Sequence, residues 1–183
     1  MFSLNLEQLA AWDAESGHLN VVIETPKGSR NKFKYDPKRG LFLLHCVLPL
    51  GASFPYDFGF IPSTEGSDGD PLDVLLLMDE PAFPGCLIHA RLIGVIEAKQ
   101  RRDEAWLRND RLLAVENQCS SYREIHSAKQ LPEQLLTEME HFFISYDEMR
   151  GKKFQPLGRF GPRRAEKLIE TAAWAKEKKE KRS

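Results

Sequence analysis

The sequence has few cysteines and no long apolar run, and both absences restrict what the protein can be. Cys46, Cys86 and Cys119 lie tens of residues apart, with no second Cys or His two to four positions away. This spacing argues against a disulfide framework and a zinc site, so we expect reduced thiols in a cytoplasmic protein. The longest apolar run, residues 74–78, is too short to span a bilayer, and the first residues resemble no secretory signal. The sequence therefore predicts neither secretion nor membrane insertion.

An excess of charge of one sign is also absent. The chain carries 26 Lys and Arg against 27 Asp and Glu, which gives a net charge of −1. Domains that bind nucleic acids usually carry a basic excess, so we expect no nucleic-acid partner. With 183 residues, 42% of them hydrophobic, the chain is long enough to build one substantial core. We expect a single domain over residues 1–183.

Short apolar or alternating segments separated by turn residues fill the first two thirds of the chain, a pattern typical of an antiparallel sheet or barrel. Beyond residue 131 apolar residues recur at helical spacing, which predicts helices at about 132–150 and 162–180. The predicted fold class is therefore mainly β with α (α+β), with a barrel at about 20–120 flanked by C-terminal helices. Strands are expected at 21–24, 33–35, 41–48, 74–78, 86–97 and 106–115, and a short helix at about 4–12.

Three carboxylates, those of Asp68, Asp70 and Asp73, lie within six residues, directly ahead of a predicted strand. No Lys or Arg lies between residues 63 and 80 to neutralise them. Like charges this close raise one another's pKa or require a cation, and hard oxygen ligands suit Mg2+, Mn2+ or Ca2+. A calcium-binding EF-hand loop is disfavoured, because its expected glycine at the sixth position is Asp73 and Pro71 interrupts the loop. An acidic surface turn without a ligand remains the alternative.

The segment from Asp68 to Asp73, Asp-Gly-Asp-Pro-Leu-Asp, resembles the signature of the soluble family I inorganic pyrophosphatases. Further blocks resemble the same family in the same order, so that the resemblance covers about residues 21–151. It implies an OB-like five-stranded barrel with helices alongside. It also implies Mg2+-dependent hydrolysis of pyrophosphate to two phosphates, with several Mg2+ ions bound and Mn2+ as an alternative metal. The further blocks are residues 22–26, 28–33, 54–62, 84–85, 92–95 and 141–146.

The resemblance also implies roles for individual acidic residues. Asp68 and Asp73 match metal ligands, and Asp70 matches the carboxylate that both contacts metal and deprotonates the attacking water. Glu24 matches a carboxylate of the outer shell. The second acidic motif of the family is ambiguous here, and the remaining metal ligand is left open among Glu104, Asn109 and Asp110, with Asp110 carried forward as the candidate.

The substrate contacts implied by the resemblance are those of Lys32, Tyr146 and Arg111, whose cationic or phenolic side chains suit phosphate oxygens. Several positions depart from the family pattern. Lys34 stands where the family usually has Glu, and Cys46 stands where it usually has an arginine that binds phosphate. We expect Lys34 to compensate for Cys46 by contacting the same phosphate. The other departures are Phe54 and Phe58 in place of tyrosines and Asn109 in place of an aspartate.

These residues lead to three hypotheses about function. The first is Mg2+-dependent hydrolysis of pyrophosphate. The second, motivated by the departures, is a catalytically impaired family member that binds metal or phosphorylated ligands. The third is a phosphohydrolase acting on other diphosphates. The resemblance further suggests a homo-oligomer, commonly a hexamer among bacterial members.

Overall fold

The fold is a mixed sheet with two helices against it. The computed structural model describes residues 5–180, apart from the side chains of Arg102 and Glu180. Two one-turn 3-10 helices, Leu6–Gln8 and Ala128–Gln130, accompany the regular elements. The regular elements are β1 (Leu19–Thr25), β2 (Asn31–Asp36), β3 (Leu41–Val47), β4 (Asp57–Ile61), β5 (Leu72–Leu77), β6 (Leu87–Arg102), β7 (Ala105–Arg108), β8 (Arg111–Glu116), α1 (Glu133–Glu148), β9 (Lys153–Phe160) and α2 (Pro162–Glu180).

Five strands form a closed ring in the order β1-β4-β5-β8-β6, because β6 pairs back onto β1. Only the pairing of β5 with β8 is parallel within this ring. The predicted five-stranded barrel flanked by helices is thereby confirmed. Strand β6 also pairs with β7 and β9, which lie outside the ring, and β2 and β3 form a separate hairpin.

The alternation of side chains along the ring strands builds two apolar layers. Leu75 of β5 packs in a cluster with Phe143 of α1, whereas its neighbour Leu76 packs in a second cluster with Ile169 of α2. Successive residues of a strand point to opposite faces, so that a continuous apolar strand such as β5 serves both layers. Each predicted helix therefore covers its own cluster, and both predicted helices are confirmed.

Several elements differ from the sequence-based expectation. Strands β4 and β9 were not predicted, because each contains a residue that usually argues against a strand, Gly59 in β4 and Pro156 in β9. Gly59 is required, since a Cβ there would lie 2.1 Å from the Val22 carbonyl oxygen on β1. Pro156 lies next to a β-bulge in β6, where the ladder is already irregular.

Two further boundaries are corrected. The strand expected at 106–115 is interrupted at residues 109–110, where the Asp110 carboxylate accepts the Ala98 amide at 2.9 Å and replaces a backbone bond. The short helix expected at 4–12 is the single turn Leu6–Gln8, and its residue 4 lies outside the described residues. Within residues 5–180, no helix is long and apolar enough to cross a membrane.

Candidate active site

A cavity of about 340 Å3 opens between the β2–β3 hairpin, the loop that precedes β5 and the end of α1. Among the described residues, five acidic and five basic side chains line it, so that this part of its polar lining is balanced in charge. Such a lining suits a ligand that combines cations with an anion. The acidic residues are Glu7, Glu24, Asp68, Asp70 and Asp73, and the basic residues are Lys32, Lys34, Arg111, Arg150 and Lys152.

The loop that carries Asp68 and Asp70 is held by its own hydrogen bonds. The buried Thr64 hydroxyl donates to the Ile61 carbonyl at 2.6 Å and accepts the Leu72 amide at 3.0 Å, which ties the loop to β4 and β5. The Asp70 amide donates to Asp68 Oδ1 at 3.2 Å. The loop thus presents both carboxylates at the mouth of the cavity beside Asp73 at the start of β5.

Asp73 faces a buried arginine. Arg111 Nη1 donates to Asp73 Oδ2 at 2.6 Å, and the side chain of Arg111 is only 5% exposed. The guanidinium lies among three aromatic rings, with its carbon 4.6 Å from the Phe143 centroid, 5.4 Å from that of Phe154 and 5.9 Å from that of Phe58. Burial raises the pKa of Asp73 to about 6, and the Arg111 charge only partly offsets it. The Asp73 carboxylate would therefore be stabilised by a further cation.

Asp70 is paired with Lys34. Lys34 Nζ lies 2.8 Å from Asp70 Oδ2, and both side chains are nearly half exposed. Although burial opposes it, the hydrogen bond and charge of Asp70 raise the pKa of Lys34. An ammonium group therefore stands beside the carboxylate that the sequence assigns to proton transfer. Exposed pairs of this kind contribute little stability, so that Lys34 can leave Asp70 at low cost.

Glu24 of the barrel strand β1 and Lys32 of the hairpin strand β2 form a buried ion pair. Lys32 Nζ donates to Glu24 Oε2 at 3.1 Å, and the two side chains are 10% and 9% exposed. The Tyr35 amide donates to the other carboxylate oxygen at 2.8 Å. The ammonium also lies over the rings of Phe58, at 3.9 Å, and Phe54, at 5.6 Å. These contacts fix the Lys32 charge at the floor of the cavity.

Tyr146, on the last turns of α1, reaches the cavity from the opposite side. Its hydroxyl accepts a bond from Arg150 Nη1 at 2.7 Å and lies 4.0 Å from the Cys46 sulfur on β3. Burial raises the pKa of Tyr146 above its ordinary value, which keeps the phenol protonated at neutral pH. A protonated phenol can donate its hydrogen to an anionic oxygen.

The acidic residues fit a divalent cation by donor chemistry. Asp68, Asp70 and Asp73 offer hard carboxylate oxygens to one cavity, and the charge of Asp73 is incompletely offset. They do not form a preassembled metal cage, since residues 5–180 contain no group of three or more His, Cys, Asp or Glu side chains arranged to hold an ion. The fit therefore requires Lys34 to leave Asp70.

Most of the residues expected from the sequence meet in this cavity, and two do not. Asp110 lies outside it, because its carboxylate is held by the Ala98 amide at 2.9 Å and by Arg108 at 2.8 Å, whereas Asn109 and Arg111 line the cavity. Glu104 is exposed at the turn between β6 and β7, outside the lining. The residues that meet are Glu24, Lys32, Lys34, Asp68, Asp70, Asp73, Arg111 and Tyr146.

Sequence reasoning missed other residues of the site. Gln100 lines the cavity from β6 and donates to the buried Asp147 carboxylate at 2.6 Å. Glu7, Arg150 and Lys152 also line it. Asp147 and Arg150 flank the Tyr146 motif closely, and that proximity was the one available signal. Glu7 and Gln100 gave none, because only the folded chain brings them to the cavity.

Comparison with known proteins identifies similar chains. A family model described as inorganic pyrophosphatase matches residues 21–176. An inorganic pyrophosphatase of Synechocystis sp. is 40% identical over 144 residues, which cover 79% of this chain and 83% of the relative. One from Halalkalibacterium halodurans is 36% identical over 152 residues, covering 83% and 91%. The crystal structure of inorganic pyrophosphatase from Thermus thermophilus superposes with a TM-score of 0.86 at 30% identity, covering 95% of this chain and 99% of that one.

Proposed function

The chain belongs to the inorganic pyrophosphatase family, and on that premise we propose that it hydrolyses pyrophosphate to two phosphates. The family is metal-dependent, and we propose Mg2+ as the metal, with several ions bound and Mn2+ as an alternative. The observation that carries the proposal is one cavity that joins three aspartates to Lys32, Arg111 and Tyr146. Carboxylates for cations and donors for phosphate oxygens are the two requirements of this chemistry.

Asp68, Asp70 and Asp73 would hold the metal. A divalent cation supplies charge neutralisation for the phosphates and increases the acidity of water when it is bound. The roles of the chain's own residues follow from their positions. Asp70, at the mouth of the cavity, accepts the proton of the attacking water once Lys34 has left it.

The remaining residues position the substrate. The Lys32 ammonium, fixed by Glu24, and the Arg111 guanidinium face phosphate oxygens as buried cations. The Tyr146 hydroxyl donates to the oxygens of the leaving phosphate. As the water oxygen forms its bond to one phosphorus, the bond from that phosphorus to the bridging oxygen breaks. The second phosphate then leaves with the electron pair.

A second candidate function is supported by the ion pairs themselves. Lys34 and Arg111 already pair with Asp70 and Asp73, two of the carboxylates that would hold a metal. A site already neutralised in this way would bind phosphorylated ligands while turning them over slowly or not at all. Release of the ligand unchanged would be the signature of this alternative.

Phosphate release from pyrophosphate in Mg2+ separates the two functions. We expect steady release by the wild type and a loss of about a hundredfold or more in Asp70→Asn, in which the proton acceptor is removed. Asp103→Asn is the matched control, because Asp103 lies on an exposed turn at a positive φ of 52° that asparagine also adopts. Equally slow release by the wild type and Asp70→Asn would contradict the enzymatic function and favour the binding function.

We also propose a homo-oligomer, with a hexamer as the expected form. The β2–β3 hairpin supports this proposal, because it exposes large apolar side chains that a second chain could cover. Light scattering that shows a monomer at all concentrations would refute it. A cytoplasmic location and the absence of a nucleic-acid partner stay predictions. The exposed side chains are Leu41, Leu43, Leu44 and Val47, at 58%, 41%, 56% and 55% exposure.

A further inference from the structure

Arg150 follows α1 and folds back over its last turn. The helix ends at Glu148, and the chain turns at Gly151 with a positive φ of 70°. The Arg150 guanidinium lies 5.1 Å from the Tyr146 ring centroid and donates to the Tyr146 hydroxyl at 2.7 Å. The contact with the ring and the hydrogen bond together hold the guanidinium at the cavity.

The partners of Arg150 carry no negative charge. Besides Tyr146, the guanidinium contacts the His45 Nε2 atom at 2.8 Å. Burial, and then the positive charges of Arg150 and Lys32, lower the pKa of His45, which keeps the imidazole neutral at neutral pH. No carboxylate of residues 5–180 forms an ion pair with Arg150, whereas Lys32, Lys34 and Arg111 each have one. Arg150 is thus a fixed cation with neutral partners.

The position of this cation matters because of Cys46. The resemblance described above implies an arginine that binds phosphate at that position of β3. The Cys46 sulfur and Arg150 Nη1 contact the same Tyr146 hydroxyl, at 4.0 Å and 2.7 Å. A guanidinium therefore lies next to the Cys46 side chain, and it comes from the turn after α1 instead of from β3.

We propose that Arg150 binds a phosphate group of the substrate and replaces the guanidinium missing at Cys46, a role that we had expected of Lys34, whose ammonium pairs with Asp70. A guanidinium can present two parallel N–H groups to one phosphate, and an anion is the partner that its uncompensated charge lacks. The identity of the substrate as pyrophosphate rests on the function proposed above. The binding of a phosphate group by Arg150 does not rest on that function, because binding requires no turnover.

The test is binding of inorganic phosphate without metal, measured by calorimetry. Arg150→Met should weaken binding at least tenfold, and Arg150→Lys should recover part of the loss, since a lysine keeps the charge without the two parallel donors. Arg123→Met is the control, because it removes the same charge from an exposed loop outside the cavity. Unchanged binding in Arg150→Met, or an equal loss in Arg123→Met, would overturn the proposal.

A rescue experiment tests the replacement itself. In the Arg150→Met background, Cys46→Arg should restore phosphate binding to within about threefold of the wild type. If Arg150→Met loses phosphate binding and the double variant does not recover it, although the double variant melts at the temperature of the wild type, Arg150 does not replace an arginine at position 46. In the hydrolysis assay, Arg150→Met should raise KM for pyrophosphate at least tenfold and change kcat less. If the wild type fails to hydrolyse pyrophosphate but Arg150→Met loses phosphate binding, the inference stands and the proposed function fails.

Discussion

The buried ion pair between Glu24 and Lys32 makes a quantitative prediction about stability. Replacing Glu24 by alanine leaves the Lys32 ammonium buried without its carboxylate and removes the acceptor of the Tyr35 amide. Removing one partner of a buried pair costs about 3–5 kcal/mol, because the other charge stays desolvated. A buried amide without an acceptor adds about 1–3 kcal/mol.

Two features of the site limit this cost. Deprotonating an ordinary lysine at pH 7 costs about 4.6 kcal/mol, and the penalty for one unpaired ammonium cannot exceed that value. The Phe58 ring, 3.9 Å from Lys32 Nζ, offsets about 1–2 kcal/mol. We therefore expect Glu24→Ala to lower the free energy of unfolding by about 2–7 kcal/mol, which corresponds to a melting temperature lower by roughly 4–28 °C.

The assay is a double-mutant cycle measured by urea unfolding at one protein concentration. Adding Lys32→Met to Glu24→Ala should restore about 2 kcal/mol, because the uncompensated charge is removed while an apolar chain still contacts the aromatic rings. Glu65→Ala, which breaks an exposed pair with Lys179, is the matched control and should cost less than about 1 kcal/mol. A Glu24→Ala variant within 1 kcal/mol of the wild type would refute the reasoning, as would simple additivity of the two substitutions.

Three other predictions concern metal, pH and packing. Mg2+ at a hundredfold excess over its Kd should stabilise the wild type by about 2.7 kcal/mol and Asp73→Asn far less. Lys34→Met should bind Mg2+ about two- to fivefold more tightly than the wild type, because no ammonium then competes for Asp70. Thermal unfolding at increasing Mg2+ concentrations measures both effects. Burial raises the pKa of Asp57 to about 6, so the folded state binds the Asp57 proton more tightly than the unfolded state does. The folded state therefore loses stability as the pH rises from about 4 to 6, and Asp57→Asn should reduce this loss. An unchanged dependence of stability on pH in Asp57→Asn would contradict the prediction. Gly94→Ala should lower the stability by about 2 kcal/mol or more, because its Cβ would lie 2.4 Å from the Phe160 carbonyl oxygen, and unfolding by urea would detect it.

The sequence predicted the parts of the fold that depend on local pattern. Strand β5 was predicted from a short apolar run that follows turn residues, and α1 from apolar residues at helical spacing after Pro132. The spacing of Asp68, Asp70 and Asp73 predicted that they share one cation site, whereas the five-stranded ring and the individual role of each aspartate came from the family resemblance. Strand β9 was missed because its pairing with the long strand β6 overrides the local effect of Pro156.

The environment of Arg111 could not be predicted, for a physical reason. Its guanidinium lies among Phe58 of β4, Phe143 of α1 and Phe154 of β9, and none of these residues neighbours Arg111 in sequence. No local sequence pattern relates the positions of these residues. The sequence was therefore equally compatible with an exposed and with a buried Arg111. The pairing of Asp70 with Lys34, 36 residues away, escaped prediction for the same reason.

The many pairings of strand β6 have a consequence for synthesis on the ribosome. Its last residues pair with β9, which ends at Phe160, whereas β6 itself is complete at residue 102. At about 5–20 residues per second, one edge of β6 waits roughly 3–12 seconds for its partner. An unpaired edge strand is a template for association with other chains. We therefore expect nascent chains of this protein to depend on chaperones during that interval more than the stability of the finished fold would suggest.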